Sequence, residues 1–227
     1  MAMHKGKPVG TFGDIAAFST MYRKAHITGG CGGVVYSRNQ ELFHRATAYA
    51  DRGKPRWRTD FDDRNPEQFL FPALNLHANE VGCAIGIASL GRLRETIAKR
   101  VAFCEALARC MEGQDIFTLM PIAEGDSPFI LPVFVRKMLG EKLDIARRLL
   151  TLGVALNPHY RYVASRWPWL QPYLADDFAT PNARAAVDAS FCLYLNENYG
   201  EREAEQIAQA LNAVGGKLTS TNLSVES

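Results

Sequence analysis

One stretch of about thirty residues, 79–111, constrains the fold of this chain more than any other part of the sequence. Asn79 suits an N-cap, and Glu80 places a negative charge at the positive end of the helix that would follow. Residues 81–90 are apolar or small on every side, so we expect this part to be buried on all faces. The second part carries a single apolar stripe at helical spacing, formed by Leu93, Ile97, Val101, Cys104, Leu107 and Met111. Such a helix spans about 50 Å, longer than a small domain, which predicts a domain boundary near Gly113.

Shorter patterns on both sides of this helix predict a mixed α/β chain. Before it, strands are expected at 15–19 and 34–36, a helix at 39–52 and an irregular charged and aromatic segment at 54–73. After it, strands are expected at 129–135, 154–156 and 191–195, an aromatic loop at 160–173, and helices at 141–152, from 182 and at 201–214. The tail from residue 215 is polar, and we expect it to be frayed.

Composition argues against several classes of protein. The 227 residues are 47% hydrophobic, and 26 Lys and Arg against 24 Asp and Glu leave a net charge of only +2. There is no basic excess to bind nucleic acid. The five cysteines are scattered without the spacing of a zinc site, which predicts reduced thiols, no metal and a cytoplasmic location. The longest apolar run, 81–90, is too short for a bilayer that needs about 20 helical residues, so no membrane partner is expected.

The densest group of chemically useful residues surrounds Lys24. This lysine lies between a predicted strand end and the sequence Thr28-Gly-Gly-Cys-Gly-Gly33. Glycines allow close backbone approach to a ligand, and a hydroxyl beside free N–H groups can hold phosphate. The order of residues is neither that of a P-loop nor that of a dinucleotide-binding turn. The residues alone therefore leave two interpretations open, a ligand-binding loop or a tight turn between two strands.

Several segments in a fixed order are more specific than the loop alone. They are Gly10-Thr-Phe-Gly-Asp14 followed by Lys24 and the glycine loop, residues 74–86, residues 89–93, Asn157-Pro-His-Tyr160, and the closing strand 193–195. Together they resemble the DegT-type sugar aminotransferases, pyridoxal-phosphate (PLP) enzymes with the aspartate-aminotransferase fold. The resemblance reaches about Val214. It implies the C-terminal part of a PLP fold-type-I aminotransferase: a partial large domain with a long connecting helix (1–112), a small α/β domain (113–214) and a polar tail (215–227).

The resemblance also implies a site. Lys24 matches the catalytic lysine that binds PLP covalently and then moves a proton between substrate and cofactor, chemistry that needs a primary amine. Ser19 matches a hydroxyl that binds the PLP phosphate, and Asn75 matches an asparagine that reaches the phosphate of a partner subunit. His159 and Tyr160 match a pair near the substrate entrance, where both could hydrogen-bond a sugar or a carboxylate. A strand-end serine, a loop cap and structural packing remain the alternatives for these four residues.

The sequence also departs from the family. Cys31 stands where relatives usually carry glutamate, and His77 where arginine is frequent. Relatives carry a long N-terminal part, so autonomous catalysis is doubtful. The leading interpretation is an aminotransferase that moves an amino group from glutamate or glutamine to a keto sugar, as a homodimer or completed by a second chain. One alternative is a non-catalytic remnant or partner subunit. Another is a PLP-dependent sugar dehydratase, which would require His26 to replace Lys24 at the cofactor.

Overall fold

The computed structural model describes residues 2–135, 142–158, 162–176 and 179–223. The chain divides into two compact units, Met1–Ile97 with Glu124–Ser127, and Ala98–Ala123 with Pro128–Ser227. The division falls inside a single helix that is continuous from Glu80 to Cys110. One part of this helix therefore belongs to each unit.

Two short hairpins, one helix and the first part of the long helix build the first unit. The hairpins pair antiparallel, β1 with β2 and β3 with β4, and the strands are Met3–His4 (β1), Lys7–Pro8 (β2), Ile15–Ser19 (β3) and Gly33–Ser37 (β4). Helix α1 is Gln40–Ala50, and Asn39 caps it by accepting a hydrogen bond from the Leu42 N–H at 3.1 Å. Helix α2 is Glu80–Cys110, and its predicted cap is confirmed, because Asn79 accepts from the Gly82 N–H at 2.7 Å.

The second unit is an antiparallel sheet covered by helices. Its four strands lie in the order β5-β6-β8-β7 and are Phe117–Leu119 (β5), Ile130–Val135 (β6), Leu156–Asn157 (β7) and Ser190–Tyr194 (β8). The helices are Lys142–Thr151 (α3), Pro181–Asp188 (α4) and Glu201–Leu223 (α5). Every pairing in the sheet is antiparallel, with Val133 opposite Phe191 near its centre.

Alternation along β6 explains where the core of this unit lies. Leu131, Val133 and Val135 are buried, while the residues between them are only partly covered. Side chains alternate between the two faces of a strand, so these three share one face of the sheet. They belong to one continuous core with buried side chains of α2, α3, β8 and α5, among them Leu107, Ile145, Leu149, Phe191 and Leu211.

The structure corrects two expectations from the sequence. Residues 81–90 are helical but not buried on all faces, since Val81 is 70% exposed and Ile87 is 75% exposed. Only the face that carries Gly86 and Ser89 is covered there. The last helix does not end at residue 214 but continues to Leu223, because two successive glycines weaken a helix by only about 1 kcal/mol each. Within the described residues, no helix is long and apolar enough to cross a membrane.

Candidate functional site

Lys24 lies in the connection between β3 and β4, residues 20–32, which we call the lysine loop. The loop is folded back on itself by backbone hydrogen bonds: Thr20 N–H to Gly32 O (2.9 Å), Tyr22 N–H to Gly30 O (2.8 Å) and Thr28 N–H to Thr20 O (3.0 Å). The Lys24 N–H donates to Met21 O at 2.9 Å. The lysine is therefore held at its backbone in a compact turn, and its side chain is half-buried.

Hydroxyl groups line the strand end beside this turn. The side-chain oxygens of Thr20 and Thr28 lie 2.9 Å apart, and Thr20 is fully buried. Ser19 is exposed, and its Oγ accepts the Met21 N–H at 3.4 Å. A hydroxyl has one proton and two lone pairs, so this serine keeps hydrogen-bonding capacity for a ligand. Ser19 and Lys24 thus belong to the same local structure.

Asn75 lies in a different segment, residues 51–77 of the connection between α1 and α2, which we call the strap. The strap doubles back on the end of α1, where Asp51 and Asn75 form an isolated antiparallel bridge. The Arg52 N–H donates to Leu74 O at 2.9 Å, and the Leu76 N–H donates to Ala50 O at 2.8 Å. These bonds fix the backbone of Asn75 and leave the residue exposed.

Asp51 holds the strap together electrostatically. Its carboxylate is buried and accepts hydrogen bonds from Arg52 (2.8 and 3.0 Å), from His77 (2.8 Å) and from Arg56. Burial alone would raise the pKa of Asp51, but the hydrogen bonds from Arg56, Arg52 and His77 outweigh it and hold the pKa well below its usual range. Asp51 is therefore ionised at neutral pH and gives Arg52, Arg56 and His77 a common hydrogen-bond partner.

A second ion pair, between Lys54 and Asp63, also holds the strap together. The Lys54 ammonium is 6% exposed, bonds to Asp63 and lies 5.2 Å from the centre of the Phe69 ring. The hydrogen bond from Lys54 lowers the pKa of Asp63. Gly53 makes this packing possible, since its φ of +81° suits glycine, and a Cβ there would lie 2.1 Å from the Phe71 carbonyl oxygen. The charged segment that the sequence marked only as irregular is an ordered, ion-paired strap.

Asp51 and Ser89 were not identified in the sequence analysis as residues that make these contacts. Asp51 stands at the C-terminal end of α1, where the helix dipole disfavours a negative charge, and that conflict could have indicated its cationic partners. Ser89 is a lone hydroxyl in a ten-residue run of apolar and small side chains, and it contacts the lysine loop.

His159 and Tyr160, the predicted substrate pair, lie outside the described residues. Among the residues that the structure describes, no cluster of His, Cys, Asp and Glu could hold a metal ion.

Lys24 in the lysine loop and Ser19 at the end of β3 carry groups that suit two ends of a PLP molecule. A primary amine on a half-buried turn can bond to an aldehyde, and the Ser19 hydroxyl with remaining hydrogen-bonding capacity can bind a phosphate oxygen. A Cβ built at Gly30 would meet nothing within 4 Å, so the lysine loop has open space at that position. The donor set therefore fits the aldehyde and phosphate ends of the cofactor.

Known proteins with similar sequences are sugar-modifying enzymes. The chain is 26% identical, over 164 residues, to a UDP-4-amino-4,6-dideoxy-N-acetyl-beta-L-altrosamine transaminase of Campylobacter jejuni, a match covering 70% of this chain and 41% of that protein. It is 25% identical, over 213 residues, to a dTDP-4-dehydro-2,3,6-trideoxy-D-glucose 4-aminotransferase of Saccharopolyspora spinosa, a match covering 89% of this chain and 53% of that protein. The chain spans about half the length of these relatives.

Solved structures confirm the expected fold. The aminotransferase PseC of Helicobacter pylori superimposes with a TM-score of 0.81 at 19% identity, covering 94% of this chain and 56% of that one. The E. coli GDP-4-keto-6-deoxy-D-mannose-3-dehydratase, solved with hydrated PLP, gives a TM-score of 0.80 at 19% identity, covering 92% and 57%. The sequence profile of the DegT/DnrJ/EryC1/StrS aminotransferases matches residues 1–212. The resemblance found in the sequence is thereby confirmed, and the chain belongs to the DegT/DnrJ/EryC1/StrS aminotransferase family.

Proposed function

We propose that this chain supplies the cofactor-binding lysine of a PLP-dependent sugar aminotransferase, which moves an amino group from glutamate or glutamine to a keto sugar. The observation that carries the proposal is the family match over residues 1–212 together with the position of Lys24 in the folded loop between β3 and β4. Two relatives with 25 to 26% identity are named as sugar transaminases. The domain limits at residues 112 and 214 belong to the same proposal.

Each predicted residue has a distinct task in this proposal. PLP, when bound, supplies the electron-withdrawing ring that stabilises negative charge on the substrate carbon. The Lys24 amine binds the cofactor and carries a proton at Nζ, and its backbone tie to Met21 O limits where that amine can reach. Ser19 Oγ binds the phosphate beside it. Asn75, with its backbone fixed against Asp51, reaches a phosphate on a partner subunit.

The exposed apolar surface of the first unit supports completion of the site by other protein. Val34 and Val35 on β4 are 48% and 53% exposed, and Ile87 on α2 is 75% exposed. Several large apolar side chains in one unit are costly to leave in water, which makes contact with further protein favourable. We therefore include a homodimer, or a second chain that completes the pocket, and a cytoplasmic location. A partner subunit without catalysis of its own is the second candidate that this surface supports.

The geometry at His26 argues against a dehydratase. That activity would require His26, rather than Lys24, to face the cofactor. Instead, His26 Nδ1 lies 3.3 Å from the Ser89 hydroxyl on α2, so one ring nitrogen is already engaged with the helix. The fold similarity to the E. coli dehydratase, at 19% identity, does not distinguish the two activities. Aminotransfer through Lys24 remains the favoured proposal.

Trapping the cofactor on the chain tests the proposal. The purified protein is incubated with PLP and reduced with borohydride, and the labelled peptides are mapped by mass spectrometry. We expect close to one pyridoxyl group per chain on Lys24. Lys24→Arg is the matched control, because it keeps the charge but cannot form the reducible bond. Scattered labelling at several lysines, unchanged in Lys24→Arg, would refute cofactor binding by this chain alone and leave the partner-subunit candidate.

The second step of the test is an activity measurement. Chain incubated with PLP but not reduced is assayed for amino transfer from glutamate and from glutamine to nucleotide-linked keto sugars. Release of 2-oxoglutarate from glutamate, or of 2-oxoglutaramate from glutamine, with sugar present and absent in Lys24→Arg, would support the aminotransferase. Deoxygenation of the sugar without transfer of nitrogen would support the dehydratase instead.

A further inference from the structure

The lysine loop lies against one face of α2 on which the side chains are small. A Cβ built at Gly82 would be 3.2 Å from Thr28 O, and one built at Gly86 would be 3.1 Å from Thr28 Cγ2. Ser89 follows three residues later, so the three positions share a face of the helix. Larger side chains at the two glycines would push the loop away. The loop and the helix are therefore fitted to each other over about two turns.

Ser89 makes the polar contact in this fit. It is only 6% exposed, and its Oγ accepts a hydrogen bond from the Ile27 N–H at 3.0 Å. The same oxygen lies 3.3 Å from His26 Nδ1. A serine hydroxyl can accept one hydrogen bond and donate another. One hydroxyl can therefore make both contacts.

The contact falls close to Lys24 along the chain. Ser89 holds the residues two and three positions after the lysine, and a chain segment of two residues extends by at most about 7 Å. On the other side, the Lys24 N–H is tied to Met21 O. The backbone of Lys24 is therefore fixed from both directions, once by its own turn and once by α2.

We propose that Ser89 is a positioning residue for Lys24, which holds the lysine loop on α2 so that the amine is presented to the cofactor. The inference rests on the function proposed above. It assigns a task to a side chain that does not itself touch the cofactor. Without the Ser89 hydroxyl, the partly buried Ile27 N–H loses its acceptor, and the loop gains conformations in which Lys24 points elsewhere.

Ser89→Ala removes both hydrogen bonds and keeps a small side chain that favours helix. Thr47→Ala is the matched control, because its hydroxyl is exposed on α1 and bonds only within its own helix, to Phe43 O. Amide hydrogen exchange of Ile27 gives a readout that does not need the cofactor. We expect exchange about tenfold faster in Ser89→Ala and unchanged in Thr47→Ala, with the unfolding midpoint of both close to that of the parent chain.

Two further readouts follow Lys24 itself: its rate of labelling by PLP and borohydride, and the pH titration of the absorbance of the bound cofactor. We expect slower labelling, about tenfold, and a shifted titration in Ser89→Ala only. His26→Ala removes one of the two contacts and should give a smaller change of the same kind. If Ser89→Ala does not fold, the result for His26→Ala tests the positioning role instead.

The outcomes are distinguishable. Unchanged Ile27 exchange, or unchanged labelling of Lys24 with faster exchange, would overturn the positioning role. If the parent chain itself shows no label on Lys24, the proposed function is wrong. Faster exchange in Ser89→Ala would then assign Ser89 to loop stability alone and so overturn its role toward Lys24.

Discussion

Asp51 offers the sharpest test of how the strap is held. We predict that Asp51→Asn, which keeps the size of the side chain, lowers the free energy of unfolding by about 2 kcal/mol. The asparagine oxygen can still accept from Arg52 and His77 at one side. The amide nitrogen then faces Arg56, and two donors cannot hydrogen-bond to each other.

The magnitude follows from the burial of the partners. A hydrogen bond to a charged group contributes about 1.5–3 kcal/mol, but Arg56 is 45% exposed, so we reduce this loss to about 1 kcal/mol. The new amide nitrogen is buried where the carboxylate was 6% exposed, and an unpaired buried donor costs about 1 kcal/mol or more. The two contributions together give the predicted value.

Trp57 provides the assay, because its ring stacks on His44 with centroids 4.4 Å apart and will report on the first unit. With Trp167 and Trp169 replaced by phenylalanine, urea unfolding followed by fluorescence measures Trp57 alone. Asp60→Asn is the control, since Asp60 is an exposed carboxylate of the same strap and loses the same charge. If Asp51→Asn and Asp60→Asn differ by less than about 0.5 kcal/mol, the carboxylate does not hold the strap.

The pH dependence of the free energy of unfolding tests the same prediction independently. Because the folded pKa of Asp51 lies below the value of about 3.9 for an unfolded aspartate, its stabilising contribution is present above pH 4. It is lost as the pH falls through the folded value. The difference in stability between the parent chain and Asp51→Asn must therefore shrink below pH 4 and not above pH 6.

Three other predictions test the packing. Burial raises the pKa of Cys104 to about 12 and also raises that of Cys192, so at pH 8 a thiol reagent should modify the three exposed cysteines quickly and these two only after unfolding. Rapid reaction of a fourth thiol would contradict this. Gly53→Ala should lower stability by about 3 kcal/mol in urea unfolding, since alanine at a φ of +81° would also meet a carbonyl oxygen. Glu197→Gln should lower the melting temperature of the second unit by an amount corresponding to about 1–2 kcal/mol, because the Arg100 guanidinium, 4% exposed, bonds to Glu197 at 3.3 Å; an unchanged melting temperature would rule that contact out as stabilising.

Periodicity and caps predicted most of the elements. The long helix was expected over 79–111 and is Glu80–Cys110, because its cap and its apolar stripe are local properties of the sequence. Strands of two or three residues, such as β1 and β5, carry too little pattern to be recognised. The exposure of residues 81–90 could not be predicted from their apolar composition. Apolar side chains favour burial, but their presence does not show that other residues of the same chain pack against them.

In the candidate site, too, local sequence patterns predict some features, while others depend on tertiary packing. Lys24 and Ser19 were predicted from a motif, which records which residues react. Ser19 ends β3, and Lys24 lies in the lysine loop that follows it. The hydrogen bonds of Asp51 and Ser89 join residues that are far apart in sequence, Ser89 to Ile27 and Asp51 to His77. Such pairings depend on how the elements pack, and a single sequence does not indicate which residues far apart in the chain come into contact.

Because α2 runs through both packing units, one helix experiences two environments. From Phe103 to Leu107 it is anchored in the continuous core, and opening there would disrupt the whole second unit. Around Val81 and Ile87 most side chains face water and only the face at Gly86 and Ser89 is covered, so opening there costs less than in the core. The resistance of this helix to fraying must therefore increase steeply along its length, so that heat or a protease would reach its first turns well before its last.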